Sequence, residues 1–188
     1  FQGYLNGDKI TIECRVKMEK VTGIEKRVVL DFATPLNGMN NIVLKIGDRK
    51  LNVSSDLIAI HSPELAEKFS EVNEEGIVEL ENFVCEEFID LLNTIYPTTF
   101  EITALNVAHI LKLADRFKVT SVLDRISAYF MKTDKFTTVS KLKYAEQFGL
   151  HELTDFCLRS IKNVADLKLI KATAQYNQLP DSLRAKIC

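Results

Sequence analysis

"NIVLKIGDRKLNVSSDLIAIHSPELAEKF", residues 41–69, is the stretch from which the fold can be read. Two short apolar runs, "NIVLKI" and "KLNV", are separated by "GDR", and that spacing with Gly47 at the bend specifies a β-hairpin. Helical signals follow at once. Ser54 or Ser55 can cap a helix whose apolar positions are Leu57, Ile58 and Ile60. The next segment, "HSPELAEKF" at 61–69, gathers an imidazole, a hydroxyl and carboxylates, so it reads either as a hydrolytic centre or as a helix start. Ser62 followed by Pro63 favours the helix. The hydroxyl can accept an orphan amide bond, proline needs no donor at the first position, and Glu64 suits the positive end of the dipole. A nucleophile would need an elbow such as GxSxG, or a positioned base with oxyanion donors, and the sequence has neither. No catalytic residue is assigned.

Working outward, "GIVEL" at 76–80 reads as a third short strand. Phe88, Ile89, Leu91, Leu92 and Ile95 recur at helical spacing over 85–96, and Pro97 stops that helix. Another helix is expected to begin near Thr103, with Val107, Ile110, Leu111, Ala114 and Phe117 in one stripe. A further one carries Val122, Ile126, Tyr129 and Phe130. From about Thr133 the chain is expected to be all helical. Leu142, Ala145 and Phe148 form one stripe, Gly149 sits where a C′ residue would, and Leu150, Leu153, Phe156, Cys157 and Ile161 form the next. Shorter amphipathic turns reach Leu183 and Ile187. Upstream, residues 9–18 alternate, with Ile10, Ile12, Cys14, Val16 and Met18 on one face, as a half-buried strand does. "ATPLNGMNN" at 33–41 is rich in loop formers. One strand cannot make a core, so this piece is expected to pair with structure preceding Phe1. The fold class is α+β.

Composition narrows the function classes. The 188 residues are 46% hydrophobic and 27% charged, which suits a folded chain rather than a disordered one. Lys and Arg number 24 against 26 Asp and Glu, with no basic run, so no footprint for nucleic acid or an anionic membrane is present. No apolar stretch approaches the roughly 18 residues of a membrane span, and residues 1–20 lack a secretory pattern. The chain is expected in the cytoplasm, the nucleus or both. Cys14, Cys85, Cys157 and Cys188 lie far apart, and with three histidines they match neither a zinc site nor a disulfide framework. Reduced, mostly buried thiols are expected. His109 and His151 read as packing or capping residues, Glu86 and Glu87 as dipole partners at a helix start. Seven glycines form no phosphate loop, and no cofactor or metal is expected. Val72 stands out, an apolar residue among Ser, Glu and Asn between a helix end at Phe69 and a strand at Ile77. It reads as part of a docking surface or as a residue folded back under its own loop.

In order along the chain, the 41–69 stretch, "VELENFVCEEFIDLLNTIY" (78–96) and "LKLADRFKVTSVLDRISAYF" (111–130) together resemble a BTB (POZ) domain. That family runs strand, strand, helix, a segment near "HSPxFxxxF", a short strand, a helix ending in "IY", and a helix with "LADxF". "GYLNGDKITIECRVKM" (3–18) resembles the last strand of a MATH domain, and "KLKYAEQFGLHELTDFCLRSI" (141–161) resembles the BACK-like helix pair of MATH-BTB proteins. The resemblance implies a MATH-like end and linker over 1–40, a BTB/POZ domain with a small three-stranded sheet over 41–132, and a BACK-like helical region over 133–188.

It also implies a substrate-recognition adaptor of a cullin-3 type ubiquitin ligase. BTB would form a homodimer and bind the cullin-3 N-terminal domain, while an upstream MATH domain, missing from this sequence but for its last strand, would hold the protein substrate. Val72, Asn73 and Glu74 match the family's hydrophobic-x-Glu cullin motif, and Phe69 and Tyr96 fall where members line the same surface. Leu57 and Ile58 are expected buried in the dimer seam, with Ile60 and Ser54 beside it. Family members usually carry Asp and His where this chain has Asn41 and Ser54, both near that seam. The alternative is a BTB oligomerisation scaffold, in transcriptional or other complexes, without a ligase role.

Overall fold

The computed structural model describes residues 4–6, 9–11, 28–35, 41–70, 72, 76–173 and 176–187. The strand expected over 9–18 is described only to Thr11, and Asn73, Glu74, Cys14 and Cys188 lie outside the described residues. β1 (Tyr4–Asn6) and β2 (Lys9–Thr11) pair antiparallel, with Leu5 opposite Ile10.

The hairpin of the 41–54 stretch forms as its pattern requires. β3 (Asn41–Ile46) and β4 (Arg49–Ser54) run antiparallel around Gly47, whose φ of 59° is the left-handed turn that glycine adopts without a Cβ penalty. β5 (Ile77–Glu79) joins β3 in parallel, giving the order β4-β3-β5. Leu44 faces Leu51 and Val78 across the strands, and all three are buried. On the other face Lys45 Nζ meets Glu79 Oε1 at 2.7 Å, so the sheet has one apolar and one solvated side.

Two short helices follow, α1 (Ser55–His61) and α2 (Pro63–Ser70). Then come α3 (Cys85–Ile95), α4 (Val107–Arg116) and α5 (Thr120–Lys132), which carry most of the core. Phe88, Leu91, Leu92, Ile110, Leu111 and Ile126 are fully enclosed. Phe83, Phe88 and Phe117 close the cluster at ring separations of 5.3 to 6.1 Å, two of the three contacts edge-on. α4 starts at Val107, four residues later than the expected Thr103. The Thr103 amide donates to Asn106 Oδ1 at 2.7 Å and Asn106 Nδ2 donates to Glu101 O at 2.9 Å, so an asparagine-centred turn occupies the positions where the helix would have begun.

The extension contains α6 (Thr138–Gln147), α7 (His151–Ser160), α8 (Val164–Lys171) and α9 (Asp181–Ile187), with a 3-10 turn at Tyr176–Gln178. Gly149 ends α6 at φ 64°, and the Leu150 amide reaches back to Ala145 O at 2.8 Å, the six-to-one bond of a Schellman cap. Phe130 at the end of α5 stacks on Tyr144 at 5.2 Å and meets Phe136 edge-on at 5.1 Å. Those rings join the extension to the core of the preceding helices.

Candidate protein-docking surface

The "HSP" segment turns out to be a joint between helices. Ser62 is wholly buried; its Oγ accepts from the Leu65 amide at 3.1 Å and donates to Phe117 O at 2.6 Å. The hydroxyl therefore caps α2 and ties it to the end of α4, with its proton already engaged. His61 Nδ1 lies 3.1 Å from Ser121 Oγ, linking the end of α1 to the start of α5. His109 Nε2 sits 2.7 Å from Asp90 Oδ2, joining α4 to α3. Among the described residues no three His, Cys, Asp or Glu side chains are grouped as a metal site would need. The two described thiols are buried. Burial pushes the Cys157 thiol up to about 11 against the opposing charge of Lys141, and it raises the Cys85 thiol against the pull of Arg49. Neither is a poised nucleophile.

The apolar surface is more informative. Val72, two residues beyond the end of α2, is 41% exposed, and Phe69 one turn earlier is half-buried against the core. Tyr96 is placed otherwise than the resemblance implies. It is 3% exposed, with its ring edge-on to Phe32 and its hydroxyl accepting the Ser54 amide at 2.6 Å; burial raises its pKa while that amide opposes the rise. Its side chain ties the end of β4 to the end of α3 and is almost wholly buried.

The α1 positions divide as well. Ile58 is fully enclosed within the chain, because the α1 face it occupies packs on the core, so its side chain offers no open surface to a seam. Ser54 is buried as the α1 cap, accepting from the Leu57 amide at 3.3 Å, and it stands opposite Asn41 in the β3–β4 register. Leu57 is half-buried, and Ile60 is 79% exposed. Of the four residues named for a seam, only these two offer apolar surface.

Several open apolar positions escape a reading by periodicity. Leu105 is 92% exposed on the turn before α4, outside the stripe that α4 buries. Phe156, counted above with the core, is instead 42% exposed; Leu153 and Cys157 take the buried line of α7, and Phe156 falls at its margin. It borders a groove of about 570 Å³ whose walls include Met131 from α5 and Glu152, Asp155 and Arg159 from α7. Next to it, sharing Glu152, a second hollow of about 280 Å³ runs from Thr120 to His151, and the Ser127 hydroxyl beside it is buried with no hydrogen-bond partner among the described residues. A signal existed for the two hollows together: Leu123 and Ser127, which line the second, and Met131, which lines the first, fall four residues apart on α5.

An α+β body that buries Ser62 as a helix tie and leaves Ile60, Val72, Leu105 and Phe156 open has the features of a protein-interaction module. The chain belongs to the BTB/POZ family: the BTB/POZ domain matches residues 36–134. It is 33% identical over 187 residues to BTB and MATH domain-containing protein 38 of Caenorhabditis elegans, covering 98% of this chain and 48% of that protein. To BTB and MATH domain-containing protein 36 of the same organism it is 31% identical over 171 residues, 89% of this chain and 53% of the relative. The chain thus spans about half the length of the curated relatives it matches. The family is in general a non-enzymatic interaction module.

Proposed function

We propose that this chain is the dimerising and cullin-docking part of a substrate-recognition adaptor for a cullin-3 type ubiquitin ligase, with a MATH-like domain upstream to hold the protein substrate. The observation that carries the reading is Val72: an aliphatic side chain left open beyond the end of α2 in a BTB chain, at the hydrophobic position of the "VNE" sequence. A standard protein contact covers roughly 1,600 Å² in total, more than one loop supplies, so the helical extension contributes too. The groove along α5 and α7 suits that role, with Phe156 and Met131 as apolar walls. Ile60 and Leu57 on α1 are the apolar residues available for self-association.

The experiment is a titration of purified cullin-3 N-terminal domain with the wild-type chain and with Val72→Asp. A carboxylate at the centre of the contact would lose its water without gaining a partner, so affinity falls at least about tenfold, or ~1.4 kcal/mol. Equal affinity for both proteins removes the assignment of Val72. If neither binds while the chain still self-associates, the oligomerisation scaffold becomes the better reading.

A further inference from the structure

The family match begins at residue 36, yet the chain is already fastened to the domain eight residues earlier. The Val28 amide donates to Thr99 Oγ1 at 2.7 Å, and the Thr99 amide donates to Val28 O at 3.0 Å. Two residues on, the Leu30 amide donates to Asn93 Oδ1 at 2.8 Å, and Asn93 Nδ2 returns a bond to Leu30 O at 2.8 Å. Two residues further, Phe32 O accepts the Asn52 amide at 2.8 Å, and Asn52 Nδ2 reaches Ala33 O at 3.0 Å. Residues 28, 30 and 32 therefore bond to the body with the two-residue period of a β-strand, but the partners are the amide and hydroxyl of Thr99, the side chain of Asn93 and the outer edge of β4.

Asn93 does what a strand residue would do. Its amide carries a donor and an acceptor side by side, so it pairs with both backbone groups of one residue, and it is buried with a further bond from Nδ2 to Ile89 O at 3.0 Å. The segment ends in a plug. Phe32 takes φ 58°, a left-handed conformation rare for a non-glycine residue, and its ring lies buried with its centroid 5.0 Å from that of Tyr96.

We infer that residues 28–33 are a built-in strap, with Asn93 as its receptor, that fixes where the preceding chain leaves the BTB domain. Whatever precedes residue 28 then departs from a set point beside Thr99 instead of swinging on a tether anchored at residue 36. The orientation of an upstream domain is restricted accordingly, and releasing the strap frees it. The inference does not depend on the ligase reading, because it concerns only how the chain enters the domain.

Hydrogen exchange on the whole chain, followed by mass spectrometry, tests it. In the wild type the amides of Val28 and Leu30 exchange at least about tenfold more slowly than in an unstructured peptide. Asn93→Ala raises exchange across 28–35 by about tenfold or more and leaves α4 and α5 unchanged. Exchange of the wild-type strap at the free-peptide rate, or protection that survives Asn93→Ala, overturns the inference. If Asn93→Ala loosens α4 and α5 as well, Thr99→Val decides. Faster exchange at Val28 with an unaltered core supports the strap, and unchanged exchange there overturns it.

Discussion

Ser62→Ala separates a structural hydroxyl from a chemical one, and its size follows from two hydrogen bonds. As the cap of α2, Ser62 accepts the Leu65 amide at 3.1 Å; loss of a serine cap costs about 1 kcal/mol. As a donor it serves Phe117 O at 2.6 Å in a fully buried site, and a carbonyl deprived of its buried donor costs a further ~1 to 2 kcal/mol. The total is about 2 to 3 kcal/mol, which for a chain of this length lowers the thermal midpoint by roughly 4 to 12 °C. Urea unfolding followed by circular dichroism measures the loss directly, and an unchanged m-value would show that the denatured state is not the cause. Ser70→Ala is the control. Among the described residues its hydroxyl bonds to Glu67 O on the exposed end of the same helix, and stability should move by less than about 0.5 kcal/mol. A Ser62→Ala protein within about 0.5 kcal/mol of wild type refutes the account of the "HSP" segment as a tie between α2 and α4.

Two further outcomes follow from the same structure. Native Cys157, raised from 9.0 to about 11, holds only about 0.1% thiolate at pH 8, so iodoacetamide should label it at least about tenfold more slowly than in urea-unfolded protein. Because its folded pKa lies above the unfolded one, its contribution to stability is complete below pH 9 and fades as pH rises from 9 to about 11; equal labelling rates in the two states would contradict the burial. Ile60→Asp changes a side chain that is 79% exposed, so folding stability should shift by less than about 0.5 kcal/mol while sedimentation velocity shows a dimer moving toward monomer. A sedimentation pattern like that of the wild type would take α1 out of the seam.

Elements with local signals were legible in the sequence. The hairpin at Gly47, the stop at Pro97 and the cap at Gly149 each rest on the φ and ψ preferences of one residue type, which hold whatever surrounds them. The α3 and α4 stripes were legible because one helix face is buried along its full length. What escaped depends on distant partners. Nothing near Tyr96 in sequence announces that its ring meets Phe32 or that its hydroxyl takes the Ser54 amide. The strap over 28–33 has the composition of a linker, and its bonds go to residues distant in sequence, Asn52 about 20 positions on and Asn93 and Thr99 more than 60. Phe156 shares the period of α7 but stands at the edge of the buried face, a difference of tens of degrees that spacing alone does not resolve. The sequence left Val72 between a docking position and a residue folded under its own loop, and the structure adds only that its side chain is partly open.

Static light scattering of the chain, alone and then titrated with cullin-3 N-terminal domain, tests the adaptor account most directly. The account predicts a particle of twice the chain mass that grows by one cullin domain per chain and saturates at two of each. A mass that never rises on adding the cullin domain, at concentrations where the chain itself is dimeric, would contradict it.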